Sequence, residues 1–235
     1  MFTSGPRLTV LGRQVLGRFR QASMATRLFL NARWRWTPYE QIAARIPAQG
    51  AILDLGSGHG LLSLALGLSS PQRKTHGIDH DPERVALAQK AAAGLPNLTF
   101  ATGSLLEALV GGTHGGNLAA IVCVDAVHYL SYDEQLLFLA HARKALRPGG
   151  VLLIRDVDAG AGKTFFINRI YEQTMTAFGF TRADRLNFRR RSEWHEVLAS
   201  AGFEPTSEKC SRFPFADLLF VCKACAVQAQ ATLAA

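Results

Sequence analysis

The stretch Ile52–Gly60, "ILDLGSGHG", sets Gly56, Gly58 and Gly60 at alternate positions directly after an apolar run, with Asp54 two residues before the first glycine. Glycine weakens regular structure, so this spacing marks a turn where the backbone bends sharply or approaches a ligand closely. "AILDL" in front reads as a buried strand and "HGLLSLALGL" behind reads as a helix. A glycine turn between such elements places a ligand at the carboxyl edge of a sheet, facing a helix N-terminus.

The same rhythm continues downstream. "THGID" is a second strand, and "DPERVALAQKAA" a helix with Asp81 as N-cap and Pro82 at the first helical position. "NLTFA" is a third strand, followed by a short helix from Ser104 to Leu109; "LAAIVCVD" is a fourth. The helix "SYDEQLLFLAHARKAL" opens with a capping box, Ser131 to Glu134, and is stopped by Pro148, Gly149 and Gly150 before the fifth strand, "VLLIRD". Strands alternating with helices predict a parallel sheet covered on both faces. Residues 157–191 break the rhythm, being irregular, aromatic and basic. "SEWHEVLASAGF" is a last helix, and two strand-like runs around Pro214 are linked so closely that they must pair antiparallel. The predicted organisation is a basic helical arm or cap (1–40), a cofactor-binding core (41–156), an inserted lid (157–191), and a helix with hairpin completing the core (192–235).

With 235 residues, 48% hydrophobic and 19% charged, the chain fits one globular domain. Its charge is uneven. Arg7, Arg13, Arg18, Arg20, Arg27, Arg33 and Arg35 lie in the first 38 residues with no acid or lysine, and so hold +7 of the net +8. A neutral domain with a basic arm describes this distribution better than a uniformly basic nucleic-acid-binding domain. No apolar run reaches the roughly eighteen residues of a membrane span, and arginines interrupt any signal-peptide pattern. The expected location is cytoplasmic, with the arm able to lie on a membrane surface. Cys123, Cys210, Cys222 and Cys225 make no disulfide scaffold at this length, and the lone C-x-x-C of Cys222 and Cys225 lacks the second pair that a zinc site needs.

The turn's chemistry narrows the ligand. A dinucleotide fingerprint needs G-x-G-x-x-G, with amides facing a pyrophosphate; here the spacing is G-x-G-x-G. Asp54 would repel a pyrophosphate and attract an ammonium group. Both features favour a nucleoside carrying an amino acid, S-adenosylmethionine. "ILDLGSGHG" resembles the first motif of class I S-adenosylmethionine-dependent methyltransferases, "GIDHDPERVALAQ" their second strand, and "LRPGGVLLI" the turn into their fifth. The resemblance runs in order over residues 51–156 and extends through the last helix and hairpin to about 224. It implies a Rossmann-like α/β fold, a seven-stranded, mostly parallel sheet with a C-terminal antiparallel hairpin. It also implies cofactor contacts at Asp54, Gly56, Ser57, Gly58 and Gly60, at Asp79 and His80, at Gly103 and Ser104, and at Asp125. Asp79, about twenty residues beyond the turn, is placed for the ribose hydroxyls. One departure stands out: where the family usually has an acid for the adenine amino group, this chain reads "TGSLLE", leaving Ser104 for that role.

The acceptor is read mainly by exclusion. The loop after the fourth strand is "DAVHYL", without the Asn- or Asp-Pro-Pro-Tyr loop of adenine and glutamine methylation. Cys123 follows Val122 and so lacks the Pro-Cys nucleophile of cytosine methylation. DNA is therefore not expected as a partner. The loop is similar to that of small-molecule C- and O-methyltransferases, which implies a small hydrophobic acceptor, aromatic or carrier-bound. His128 is the candidate general base, against a structural histidine. Tyr129, with Arg169 and Tyr171 of the insertion, would line the acceptor pocket. Asp125 and Asp156 end adjacent strands but lack a third ligand, so no metal is expected.

In the arm, Leu8, Leu11, Val15, Phe19 and Ala22 share one helical face flanked by arginines. This suits a membrane surface, an acyl carrier protein, or a helix covering the pocket; the acid-free stretch also has the look of a mitochondrial transit peptide. "RWRWTPYEQIAARIP" resembles methyltransferases of bacterial aryl-polyene and related lipid or polyketide pathways. The competing readings are an RNA methyltransferase using the arm, a non-catalytic cofactor-binding relative, and a nicotinamide-dependent oxidoreductase.

Overall fold

The computed structural model describes residues 8–110, 115–162, 164–166, 186–211 and 215–225. Three helices come first: α1 (Val10–Gly17), α2 (Met24–Trp36) and α3 (Tyr39–Ala44). The alternating core follows as β1 (Gly50–Leu55), α4 (Leu61–Ser69), β2 (Arg73–Asp79), α5 (Pro82–Ala91), β3 (Leu98–Thr102), α6 (Leu105–Val110), β4 (Leu118–Val124), α7 (Tyr132–Ala145) and β5 (Leu146–Val157). The chain closes with α8 (Arg191–Ser200), β6 (Phe203–Lys209) and β7 (Asp217–Ala224).

The seven strands lie in the order β3-β2-β1-β4-β5-β7-β6. The first five pair in parallel, while β7 runs antiparallel to both β5 and β6. The predicted α/β, Rossmann-like sheet and its C-terminal antiparallel hairpin are therefore present. Strand order reverses between β1 and β4, which opens a crevice at their carboxyl ends.

The pleat explains why both faces are apolar. Ile52, Ala120, Val122 and Leu153 point into one core with Val15, Leu30, Ile42, Leu64 and Ala88 of α1–α5 and Phe19 of the turn after α1. Their neighbours Leu53, Ile121, Cys123, Leu152 and Ile154 point into the other, against Phe138, Leu139, Trp194 and Leu198 of α7 and α8. Asp81 caps α5 through the Glu83 and Arg84 amides, and Ser131 and Glu134 form the capping box of α7, both as read from sequence. Two boundaries moved. The α7 helix ends at Ala145, ahead of Pro148, and β5 begins at Leu146 instead of Val151, because residues from Leu146 already pair with β4 across an irregular register.

The basic arm is part of the fold. Val15 and Phe19 are buried, α1 packs on α4, and Arg18 donates to the Ala91 and Ala93 carbonyls at the end of α5 (2.9 and 2.8 Å). That position suits a cation, since carbonyls left over at a helix C-terminus carry partial negative charge.

Candidate functional site

A cleft lies over the β1–β4 crevice. Asp54, Gly56, Ser57, Gly58 and His59 from the first turn, Asp79 and His80 from the tip of β2, and Arg84 and Leu105 form one part. Phe29, Leu30, Arg33, Tyr39, Val124, Asp125, Ala126, Tyr129 and Leu130 form the other.

The turn glycines have left-handed backbone, with φ of 74° at Gly56, 54° at Gly58 and 78° at Gly60. Gly56 also has no room: a Cβ there would sit 2.5 Å from Ala126 Cβ. Gly58 differs, because a Cβ there would meet nothing within 4 Å and would project into open space. That is the position where backbone can approach a ligand. Its amide is already oriented, donating to Asp79 Oδ2 at 2.7 Å, while Asp79 Oδ1 accepts from the Asp81 amide at 3.0 Å. The buried Asp79 carboxylate is thus held by backbone donors on both oxygens, its remaining lone pairs left for hydroxyl donors.

Asp54 is buried at the tip of β1 and accepts from Ser63 Oγ at 2.6 Å. Burial raises its carboxyl from 3.8 to about 6, against the lowering effect of Ser63. Such an acid is destabilised as an anion until a cation arrives. His59 is pushed the other way, to about 4, chiefly by burial and then by Arg84, so it is neutral at physiological pH; its ring lies 5.9 Å from Phe29. Ser57 Oγ is buried with no hydrogen-bond partner among the described residues.

These groups test the expected cofactor. An acid able to meet an ammonium, a carboxylate with lone pairs for two hydroxyls, an unengaged buried hydroxyl and open space above Gly58 fit S-adenosylmethionine. A pyrophosphate would face Asp54 and Asp79 together.

The methyltransferase-domain family profile matches residues 52–150. Residues 52–150 are a methyltransferase domain by this match, which runs from the glycine turn to the start of β5. Among similar proteins, the methyltransferase-like YqeM of Bacillus subtilis (strain 168) is 29% identical over 121 residues, 49% of this chain and 47% of YqeM. Malonyl-[acyl-carrier protein] O-methyltransferase of Halalkalibacterium halodurans is 25% identical over 149 residues, 63% of this chain and 54% of that protein. Magnesium protoporphyrin IX methyltransferase of Synechocystis PCC 6803, solved with bound S-adenosylhomocysteine, shares the fold with a TM-score of 0.59 at 15% identity, over 90% of its chain and 94% of this one. The chain spans about half the length of these two curated relatives.

Within the methyltransferase domain, Asp54, Gly56, Ser57, Gly58, Asp79, His80, Asp125 and Tyr129 all border the cleft. Gly60 lies behind the turn as the N-cap of α4. Gly103 and Ser104 fall outside the lining: Ser104 Oγ accepts from the Glu107 amide and starts α6, and Leu105 presents the wall there instead. Arg169 and Tyr171 lie outside the described residues.

Asp125 has a second engagement that sequence did not indicate. Arg33 of α2 places Nη2 2.6 Å from its Oδ2, and Arg155 of β5 bonds its Oδ1. Arg155 is itself buried, with Nη2 2.7 Å from Asp217 Oδ2 and Nε donating to the Cys210 carbonyl at 3.0 Å. Burial works against the Asp125 anion, but the Arg155 and Arg33 guanidinium groups more than offset it and hold the carboxyl below its ordinary value. Asp217, sharing Arg155 with Asp125, is raised by burial to about 6. Asp125 is also the one non-glycine with left-handed backbone among the described residues, φ 54°, a conformation that aspartate tolerates better than most.

His128 sits beneath the cleft and does not line it. It is fully buried, with Nδ1 2.7 Å from Asp156 Oδ1 and its ring 4.3 Å from Tyr129 and 4.6 Å from Phe188. Asp156 also accepts from the Val157 amide at 2.9 Å. His128 is thus packed beneath the cleft, and Tyr129, next to it, is the aromatic that faces the cleft. Asp125 and Asp156, weighed as metal ligands, are committed to arginine and histidine partners. Among the cleft residues that sequence did not single out are Phe29, Leu30 and Arg33 of α2 and Tyr39 of α3. Their prior sign was the reading of the arm as a helix covering the pocket.

Proposed function

We propose that the chain transfers the methyl group of S-adenosylmethionine to an oxygen of a small, apolar acceptor. One observation carries this reading. The cleft has two carboxylates at one part, Asp54 and Asp79, and a mostly apolar and aromatic wall at the other, of Phe29, Leu30, Tyr39, Val124, Tyr129 and Leu130.

The cofactor supplies an electrophilic methyl on a sulfonium. Asp54 would hold the ammonium and Asp79 the ribose hydroxyls, which fixes the donor end. Burial strengthens both contacts by lowering the local dielectric. Phe29 and Leu30 exclude water, and Tyr129 orients the acceptor against the donor. Alignment supplies much of the acceleration in such a displacement, so a strong base is not required. His128 and Asp156 act in this reading by positioning: their hydrogen bond and the ring contacts fix Tyr129 and Phe188. The oxygen acceptor is supported by the similarity to malonyl-[acyl-carrier protein] O-methyltransferase, which also makes a carrier-bound acceptor a natural candidate.

The test is methyl transfer from labelled S-adenosylmethionine to a panel of phenols and carrier-bound acyl groups, with products resolved by mass. Label on an acceptor oxygen supports the proposal; label on carbon or nitrogen, or none on any acceptor despite cofactor binding, removes it. A His128→Asn variant tests the positioning role. Its kcat should fall with the pH profile unchanged in shape, whereas loss of the acid limb, the fall in rate at low pH, would make His128 the base.

A further inference from the structure

The helix that walls the cleft has a second face. Met24, Leu28, Ala32 and Trp36 recur every four residues along α2 and so share one side. Three of them are large and exposed: Met24 at 66%, Leu28 at 64% and Trp36 at 45%. Leu28, Asn31, Ala32, Arg35 and Trp36 border a shallow groove there. The opposite side of α2, with Leu30 and Trp34, is buried in the core; at the end of the outer stripe Trp36 meets the Phe215 ring at 5.9 Å, while Met24 and Leu28 stand exposed.

The charge around the stripe is of one sign. Arg20, Arg27 and Arg35 are exposed, none forms an ion pair among the described residues, and residues 1–38 contain no acid. Arg18 and Arg33 are excluded from this set, being bound to the α5 carbonyls and to Asp125. Exposed arginines beside Leu, Met and Trp on one helix match the pattern of interfacial helices, where apolar side chains enter the acyl boundary and cations meet anionic headgroups.

We infer that the outer face of α2 docks on an anionic phospholipid bilayer. No helix among the described residues is long and apolar enough to cross a membrane, so the contact is peripheral. The helix is about 10 Å thick with its side chains. A bilayer on the outer face therefore lies about one helix diameter from Phe29 and Leu30, which suits an acceptor partitioned into lipid. The docking itself does not depend on the methyl-transfer reading.

The experiment is sedimentation of the full chain with vesicles of phosphatidylcholine plus phosphatidylglycerol, and with phosphatidylcholine alone. The wild type should sediment with the mixed vesicles only, and less as salt rises. Each arginine removed in Arg27→Gln and Arg35→Gln should lower the partition coefficient about fivefold. Met24→Glu with Leu28→Glu should abolish binding. S-adenosylhomocysteine affinity, unchanged in every variant, shows that the fold and cleft are intact; Leu28→Ser replaces the double variant if that control fails. The inference is overturned if the wild type ignores anionic vesicles, or if it binds both vesicle types equally. It is also overturned if the variants bind vesicles like the wild type, including the case in which they instead lose self-association in sedimentation velocity.

Discussion

Arg33 Nη2 lies 2.6 Å from Asp125 Oδ2, which ties a helix of the N-terminal arm to the tip of β4 directly over the cleft. Arg155 grips the other oxygen of the same carboxylate from below. The arm is therefore latched across the cofactor site, and the latch suggests a first prediction. Arg33→Ala should lower stability to urea by about 1–3 kcal/mol, because a largely buried charged hydrogen bond is lost while Asp125 keeps Arg155. It should also speed S-adenosylhomocysteine dissociation in stopped-flow measurements. Wild-type dissociation in the variant would show that α2 does not retain the cofactor.

Asp54 predicts how cofactor affinity depends on pH. Its carboxyl is raised from 3.8 to about 6 in the folded protein, so between these values the folded state holds a proton that the unfolded state has released. The contribution of this group to stability is therefore present at low pH and lost as pH rises through that window, up to about 3 kcal/mol. A cofactor ammonium reverses the sign locally, since it binds the ionised form. Calorimetry of S-adenosylhomocysteine should show affinity rising with pH up to about 6 and level above it, with proton release on the acid side. Asp54→Asn should weaken binding and flatten this dependence.

Asp79 predicts a binding defect of a different kind. Asp79→Ala removes charge-assisted acceptors for two hydroxyls and also frees the Gly58 and Asp81 amides. Cofactor affinity should fall by on the order of 2–3 kcal/mol, with little pH dependence. An unchanged dissociation constant would displace the ribose site from the tip of β2.

The two turn glycines should separate in their effects. Gly56→Ala sets a methyl 2.5 Å from Ala126 Cβ and should impair folding. Gly58→Ala meets no protein atom within 4 Å, so its cost to the fold is the left-handed backbone alone, about 1–2 kcal/mol. Its main effect should be on the ligand, with S-adenosylhomocysteine affinity falling tenfold or more, roughly 1.4 kcal/mol. Thermal unfolding with and without ligand checks both.

Local rules made most of the sheet legible. Asp81 before Pro82, the Ser131–Glu134 box and the glycine turn each carry their own physical signature within a few residues, and each element starts where that signature places it. The cleft was legible where its residues belong to those turns, as at Asp54, Gly58 and Asp79. It was not legible where a contact joins distant segments. Arg33 reads as one more solvated arginine until Asp125 is set beside it, and nothing near His128 in the sequence shows that Asp156 and Phe188 close around it. Ser104 illustrates a nearer competition, in which a hydroxyl suited to adenine is taken by the first turn of α6.

The latch also orders events during synthesis. Arg33 leaves the ribosome 92 residues before Asp125, and Arg18 at least 73 before the carbonyls it caps. At the usual elongation rate the nascent arm waits several seconds or more for its partners. Throughout that interval Val15, Phe19 and Leu30 lack the β4 part of their core, and this apolar surface stays open to chaperones until translation has passed β4.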